Sequence, residues 1–342
     1  MGRTFFHWRW FALLGMLGII SVLIWKITTN RPSIPRTLPV WGTSAISVDG
    51  TYVATSTAKG IAVWSIPQLQ QVASISTSEA GKALAIAWSP DGSALAIAGD
   101  ALVIYRIADG QATVVTRDYT PQVPQVAWSQ SGTIVALGHS GMIDLWQMPD
   151  LRLLHTITPT AERPPLTTAL IDIALSADGK LLATSSLDQH LRVWQVADGT
   201  LFQQFRQESA EIGSIAFSPD GQLVAVGVET MIQLWRIADG TLMHRLQGHR
   251  ERVTSIAWSP DGQWIASGAG NTQSIDYEDT RGLVVNIWNV ADGTLGTTFT
   301  GHHRPVRTVA FLPNGQEVIS ADASGALHMW NLKALKPDSL RK

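Results

Sequence analysis

Cysteine is absent from these 342 residues, which removes disulfide scaffolds, thiol nucleophiles and zinc-thiolate sites. Charge is scarce as well. Only 15% of the residues are Asp, Glu, Lys or Arg, with 25 basic residues against 27 acidic ones. A chain so poor in charge and 45% hydrophobic has ample material for a core and is not disordered. Enzyme signatures are missing too: there is no His-Glu-x-x-His, no Gly-x-Ser-x-Gly, no phosphate loop and no Gly-x-Gly-x-x-Gly after a strand. His139, His155, His190 and His244 are scattered without a shared spacing. The residues therefore point away from catalysis and require no cofactor and no metal, although a propeller-type enzyme stays open as a rival because fold alone never excludes chemistry.

What is present at the start of the chain is a long apolar run. Between Trp10 and Trp25 there is no charge, and the 20 residues from Trp8 to Ile27 carry only Arg9 and Lys26, one near each end. Both can snorkel to an interface. At ~1.5 Å per residue such a helix spans about 30 Å, the thickness of a bilayer's hydrocarbon core. Trp8, Trp10 and Trp25 suit its interfacial belts. Ile24, Trp25, Lys26 and Ile27 stand where a signal peptide would need small residues, which favours an uncleaved anchor. Phe6 excludes the N-myristoylation pattern.

Residues 1–30 hold three basic residues and no acid, so the body carries 25 less three, or 22, basic residues against 27 acidic. That balance argues against nucleic acid as a partner. Arg3 and Arg9 precede the apolar run while Lys26, Arg31 and Arg36 follow it. The positive-inside rule barely discriminates here, and the short basic tail tips the expectation toward an extracytoplasmic body.

From residue 36 onward the sequence repeats. An aromatic residue closes an apolar run at Trp64, Tyr105, Trp146, Trp194, Trp235, Trp288 and Trp330, with gaps of 41, 41, 48, 41, 53 and 42 residues. Upstream of each lies a turn ending in glycine, at Gly50, Gly92, Gly132, Gly179, Gly221, Gly262 and Gly315. Each unit reads as four short strands; in the fifth they fall near 214–217, 223–227, 231–235 and 242–246. One such meander cannot bury both faces, whereas seven around an axis can.

Gly248-His249, Ser259-Pro260-Asp261-Gly262 and the strand-ending Trp288 resemble the tryptophan-aspartate (WD) repeat β-propeller family, over about 300 residues. The Ala-Asp-Gly-Thr-Leu wording after the aromatics is similar to its bacterial members. The resemblance implies an all-β fold, a seven-bladed propeller of four-stranded antiparallel blades, here preceded by one transmembrane helix. The organisation expected is an anchor at 1–27, a linker at 28–35, a propeller over 36–332 and a tail at 333–342. The last unit lacks a fourth strand, so 36–41 is expected to close its blade. In a flat disc the short linker would bring the turns such as Asp239-Gly240 toward lipid headgroups.

The sequence departs from the family in that Ser65, Arg106, Gln147, Gln195, Arg236, Asn289 and Asn331, never Asp, follow the seven aromatics. The family's hydrogen-bonded set of His, Ser or Thr, Asp and Trp is never complete. Thr184, Asp188 and Trp194 lack the His, while His249, Ser267 and Trp288, and His302, Ser320 and Trp330, lack the Asp. These residues, with Trp64, Tyr105, Trp146 and Trp235, are expected to be structural pins.

Irregular residues gather elsewhere. Residues 270–282 enlarge the sixth unit and contain Asp276, Tyr277, Glu278, Asp279 and Arg281. Neighbouring connections supply Arg250, Arg252, His303, Arg304 and Arg307. Long loops on a rigid scaffold are preferred sites of recognition, so these ten residues are the candidate partner-binding set. Calcium held by Asp276, Glu278 and Asp279 is a weaker reading, because their spacing matches no recognised loop. A second enlargement at 158–170 holds Glu162 and Arg163. The expected function is a non-catalytic protein-interaction module tethered to the bilayer by its N-terminal helix. It would serve as an accessory or assembly subunit of an integral-membrane complex, with electron-transfer complexes plausible hosts, or as a free-standing anchored scaffold or sensor.

Overall fold

The repeat is built on one turn. In six units a serine (Ser47, Ser89, Ser129, Ser176, Ser218, Ser259) accepts through Oγ the backbone N–H five residues later, at 2.9 to 3.0 Å. In five of them the same hydroxyl donates to the aspartate two residues on, as in Ser176 to Asp178 at 2.7 Å. Glycine then sits at φ between 68° and 74°, a region that side chains with a Cβ resist. The seventh turn replaces serine by Leu312, keeps glycine at φ 62°, and is capped by Asn314, which accepts the N–H of Gln316 at 2.9 Å. Each turn folds the chain back on itself, so the strands it joins pair antiparallel.

The computed structural model describes residues 36–37, 43–68, 70–76, 83–117, 125–139, 141–158, 170–206, 212–270 and 280–332. The chain divides into two units, 1–35 and 36–342, and all described residues belong to the second. The anchor expected at 1–27, the linker, the tail, and Asp276, Tyr277, Glu278 and Asp279 thus lie outside the described residues. Among those described, no helix is long and apolar enough to cross a membrane.

Strand β1 (Arg36–Thr37) comes first and is followed by six complete meanders. Blade one is β2 (Ser44–Ile46), β3 (Tyr52–Thr57), β4 (Gly60–Ser65) and β5 (Gln70–Ser76). Blade two is β6 (Ala85–Trp88), β7 (Ala94–Ala98), β8 (Ala101–Arg106) and β9 (Ala112–Arg117). Blade three is β10 (Gln125–Trp128), β11 (Ile134–His139), β12 (Met142–Gln147) and β13 (Arg152–Ile157). Blade four is β14 (Leu170–Leu175), β15 (Leu181–Ser186), β16 (His190–Gln195) and β17 (Leu201–Arg206). Blade five is β18 (Ile212–Phe217), β19 (Leu223–Val228), β20 (Met231–Arg236) and β21 (Leu242–Gln247). Blade six is β22 (Val253–Trp258), β23 (Trp264–Ala269), β24 (Val285–Asn289) and β25 (Leu295–Phe299). Blade seven has β26 (Val306–Phe311), β27 (Glu317–Asp322) and β28 (Ala326–Asn331), with β1 as its fourth strand. Arg36 pairs with Leu327 and Thr37 with Ala326, so the blade joins the two ends of the propeller.

The first strands of successive blades touch in a ring, β2 beside β6 and so on to β26, which returns to β2. The next-to-last residue of every inner strand is alanine: Ala45, Ala87, Ala127, Ala174, Ala216, Ala257 and Ala310. A small side chain there suits the crowded approach of seven strands to one axis. Seven apolar clusters then fill the blade interfaces, one per neighbouring pair. Ile61, Ile86 and Leu95 pack between blades one and two, and Val53, Ile319 and Leu327 between blades seven and one. Burial between blades therefore runs all the way round, which is why a single meander needs its neighbours.

Candidate functional site

The tryptophans that close the third strands are held from one position on the second strand. Trp64 donates Nε1–H to Thr55 (3.2 Å), Trp194 to Thr184 (3.1 Å), Trp288 to Ser267 (2.8 Å) and Trp330 to Ser320 (2.8 Å). Trp235 uses Gln233 instead, at 3.1 Å, and Tyr105 is buried. The buried Nε1 of Trp146 has no partner among the described residues. Asp188 is not joined to Thr184 but binds Arg192 (2.6 Å) and Ser186.

Blade seven corrects the expectation that its set lacks an aspartate. His302 Nδ1 lies 3.0 Å from Asp322 and Nε2 lies 2.7 Å from Ser320 Oγ, with both His302 and Asp322 buried. The bonds form one chain: Trp330 N–H to Ser320, Ser320 O–H to His302, and His302 Nδ1–H to Asp322. Asp188 precedes its tryptophan by six residues but Asp322 precedes Trp330 by eight, at the end of β27, and so falls off the repeat's spacing. There Asp322 also accepts from Ser324 Oγ (2.6 Å) and from the N–H groups of Ser324 and Ala326, fixing the β27 to β28 turn. Burial works against its ionisation, but the His302 and Ser324 hydrogen bonds prevail and hold its carboxyl below the usual carboxylate range.

Blade six has no such carboxylate among the described residues. His249 Nε2 meets Ser267 Oγ at 2.6 Å, and its Nδ1 faces the Asn286 amide at 3.4 Å. Burial pushes this imidazole down to about 4, so it is neutral at physiological pH.

A second carboxylate that the motifs do not signal is Asp172 on β14. It accepts the N–H of Ile215 from the next blade's inner strand (2.9 Å) and that of Ile173 (2.9 Å). Part of its surface stays open, yet protein surrounds it, and burial pushes its carboxyl up to about 6 against those two donors. Ser255 does the same between blades six and seven, taking the N–H of Val309 at 3.1 Å. Thr308 closes the ring by donating to Ser44 O of blade one at 2.9 Å. The signal is a polar residue four places before the turn residue in an otherwise apolar strand: Thr43, Gln125, Asp172, Ser214, Ser255 and Thr308, with Ala85 the exception. Asp172, Ser255 and Thr308 thus bind blade to blade, which gives Asp172 a structural task.

The candidate partner-binding residues gather where the blade connections of the sixth and seventh blades meet the base of the 270–282 insertion. Gly270 N–H bonds to Arg252 O at 3.0 Å, and Ala323 N–H bonds to Pro305 O at 2.9 Å. Gly282 has no room for a Cβ, because the Glu251 side chain lies against it. The base of the insertion is thus clamped by the connection from blade five to blade six. Arg250, Arg252, Arg281, His303, Arg304 and Arg307 are all exposed there, with Glu251 the only acid on the described parts of these connections. Two clefts of about 420 and 580 Å³ open elsewhere, between blades two and three and between blades three and four, and none of these six residues lines them. Among the described residues no group of three His, Asp or Glu is placed to hold a metal ion.

Comparison with known proteins bears on this arrangement. The family described as WD40: WD domain, G-beta repeat matches residues 164–195, 199–236, 240–274 and 293–331. The chain is a WD40-repeat propeller. An uncharacterised WD repeat-containing protein of Synechocystis is 32% identical over 246 residues, 71% of this chain and 66% of that protein. The rat guanine nucleotide-exchange factor SEC12 is 42% identical over 55 residues, 16% of this WD40 chain, and the match spans only 13% of the rat protein. A chain in the crystal structure of a mitotic checkpoint complex superposes with a TM-score of 0.72 at 20% identity, covering 89% of this chain and 92% of that one, which speaks to the fold alone. WD40 propellers are generally non-catalytic scaffolds for protein interaction.

Proposed function

We propose that this WD40 propeller binds a protein partner through the insertion-bearing sector of blades six and seven, as an accessory or assembly subunit of an integral-membrane complex. The observation that carries the reading is the collection of exposed arginines, Arg250, Arg252, Arg281, Arg304 and Arg307, beside His303 on and next to connections clamped to a rigid ring. Arginine offers a planar fork of donors suited to carboxylates, so an acidic partner surface fits this sector. The apolar run near residues 8–27 supports tethering to a bilayer, and its flanking charges favour a propeller on the extracytoplasmic side.

The test is extraction in mild detergent, native separation and mass spectrometry of what comigrates. Stoichiometric membrane subunits are expected with the wild type and should be lost with Arg250→Glu combined with Arg307→Glu. Soluble partners alone would favour a free-standing anchored scaffold. Turnover of a small molecule by the isolated chain would defeat the binding reading altogether.

A further inference from the structure

The outer strands of blades three to six share an apolar start. Opposite the aromatic of the third strand they place Leu153, Leu201, Leu242 and Leu295, where blades one and two place Gln71 and Ala112. In blades three, four and five the register then skips one more apolar residue, Leu154, Phe202 and Met243. Leu153, Leu201, Phe202 and Leu295 are each 44 to 47% exposed, so the fold itself does not cover them. Single exposed hydrophobics are ordinary, but a run of them at one register in successive blades marks a contact surface.

Between blades three and four this surface dips into the cleft of about 580 Å³. Leu154 and His155 of β13 form one wall, and Val196, Ala197 and Phe202 of blade four form the other. His155 Nε2–H donates to Ala197 O at 2.8 Å, which ties the two walls together and keeps the cleft preformed. Every lining residue is described, and the neighbouring undescribed segments, 159–169 and 207–211, follow the far ends of β13 and β17.

Acids stand at both ends of the apolar wall. Asp198 follows Ala197 and interacts electrostatically with His155, while hydrogen bonds from Thr200 hold its carboxyl below the usual carboxylate range. Asp178 and Asp220 line the end nearer the axis, where Lys180 is engaged by Asp178 at 3.1 Å. Asp220 accepts from Ser218 Oγ and from the N–H of Gln222. Neither Asp198 nor Asp220 forms an ion pair with a lysine or arginine among the described residues. An apolar cleft between ionised carboxylates favours an apolar side chain with a cation beside it, and it opposes the phosphates of a lipid surface.

We propose that the cleft between blades three and four receives a segment of a partner protein that carries Leu, Met or Phe close to Lys or Arg. The apolar side chain seats between Leu154, Val196 and Phe202, and the cation reaches Asp198 or Asp220. The inference rests on the protein-binding reading but uses a different surface from the arginine sector, so either can fail alone.

The probe is an array of roughly nine-residue peptides on a Gly-Ser background, with Leu, Met or Phe at the centre and Lys, Ser or Glu beside it at varied spacing. It is incubated with the full chain in mild detergent, and the peptide retained best is labelled and titrated by fluorescence anisotropy. Lys peptides should be retained over Ser and Glu peptides with the same centre, with a Kd below about 1 mM. Phe202→Ser should weaken binding roughly tenfold, with the melting temperature as a check that this exposed change leaves the fold intact. Asp198→Asn with Asp220→Asn keeps both turn caps, as Asn314 does in the seventh turn, and should erase a preference of roughly fivefold for Lys over Ser. Arg250→Glu with Arg307→Glu should change neither result. No peptide bound more tightly than about 1 mM, equal retention of Lys and Glu peptides, or full affinity in Phe202→Ser overturns the inference. Because the chain has no other thiol, an environment-sensitive dye can be placed on Leu201→Cys. A shift of its emission on reconstitution into phosphatidylcholine vesicles, before any peptide is added, would put lipid over the cleft and overturn the inference as well.

Discussion

Two aspartates with opposite electrostatics show what single residues contribute here. Asp172 keeps its proton up to about pH 6, whereas an unfolded aspartate releases it near 4. Folding therefore favours its protonated form. The associated stability is fully present below the unfolded value and is lost as pH rises through 6. Asp172→Asn retains an acceptor for the Ile215 N–H and removes the charge. It should match the wild type near pH 3.5 and exceed it by up to about 3 kcal/mol above pH 7, read as a shift in urea midpoint. Equal midpoints at pH 8 would count against the buried-charge account. Asp322 behaves the other way, because its bonds to His302 and Ser324 outweigh burial and favour the ionised form. Its contribution stands above the ordinary carboxylate pKa and is lost on acidification below it. Asp322→Ala strips partners from His302, Ser324 and the β27 to β28 turn at once and should cost about 3 kcal/mol at pH 7. A loss below about 1 kcal/mol in the same urea experiment would count against the buried bonds of Asp322 as stabilising contacts.

At the level of elements, the join that a truncation can test is the closure of the ring. Arg36 and Thr37 pair with Leu327 and Ala326 of the last blade, and Leu327 packs against Val53 and Ile319 at the interface between blades seven and one. Deleting 36–41 should lower the melting temperature of the whole propeller by several degrees in one cooperative transition, since about 1 to 2 kcal/mol lost at one interface is shared by the ring. An unchanged melting curve would mean that three strands suffice in blade seven. Much of this architecture is legible in the sequence because its signals are local. The glycine of each turn, the serine of six and the aspartate of five, and the aromatic near the end of each third strand recur in the same order, so seven units can be counted before any fold is known. The bonds that stay hidden are those between elements. Asp322 reaches His302 from outside the repeat's spacing, and Asp172 binds a neighbouring blade through a contact 43 residues away. The sequence pattern groups Asp188 with Thr184 and Trp194, but the structure turns it toward Arg192, four residues on, because a guanidinium is a stronger partner than a hydroxyl already engaged by Trp194.

Across the whole propeller, charge is distributed by face. The turns after first strands carry Asp49, Asp91, Asp178, Asp220 and Asp261, and those after third strands carry Asp109, Asp150, Asp198, Asp239 and Asp292. Several are held below the usual carboxylate range by hydrogen bonds from their own turns, so this face stays anionic well into mild acid. Arg106, Lys180 and Arg236 form ion pairs with Asp109, Asp178 and Asp239. The opposite face carries exposed Arg250, Arg252, Arg281, Arg304 and Arg307 in blades six and seven. If those arginines capture an acidic partner, as proposed, their field acts on it before contact even though the body beyond residue 30 has five more acidic than basic residues. Such steering acts on encounter and is screened within ~10 Å at 0.1 M salt, whereas contacts already formed are screened less. With the copurified partner immobilised, raising ionic strength from about 0.05 to 0.5 M should cut the association rate at least tenfold and change the dissociation rate far less. Arg250→Glu with Arg307→Glu should flatten that salt dependence. If salt instead acts mainly on dissociation, or the double variant associates as fast as the wild type, then the partner docks by apolar burial elsewhere on the ring and the cationic sector has no role in its capture.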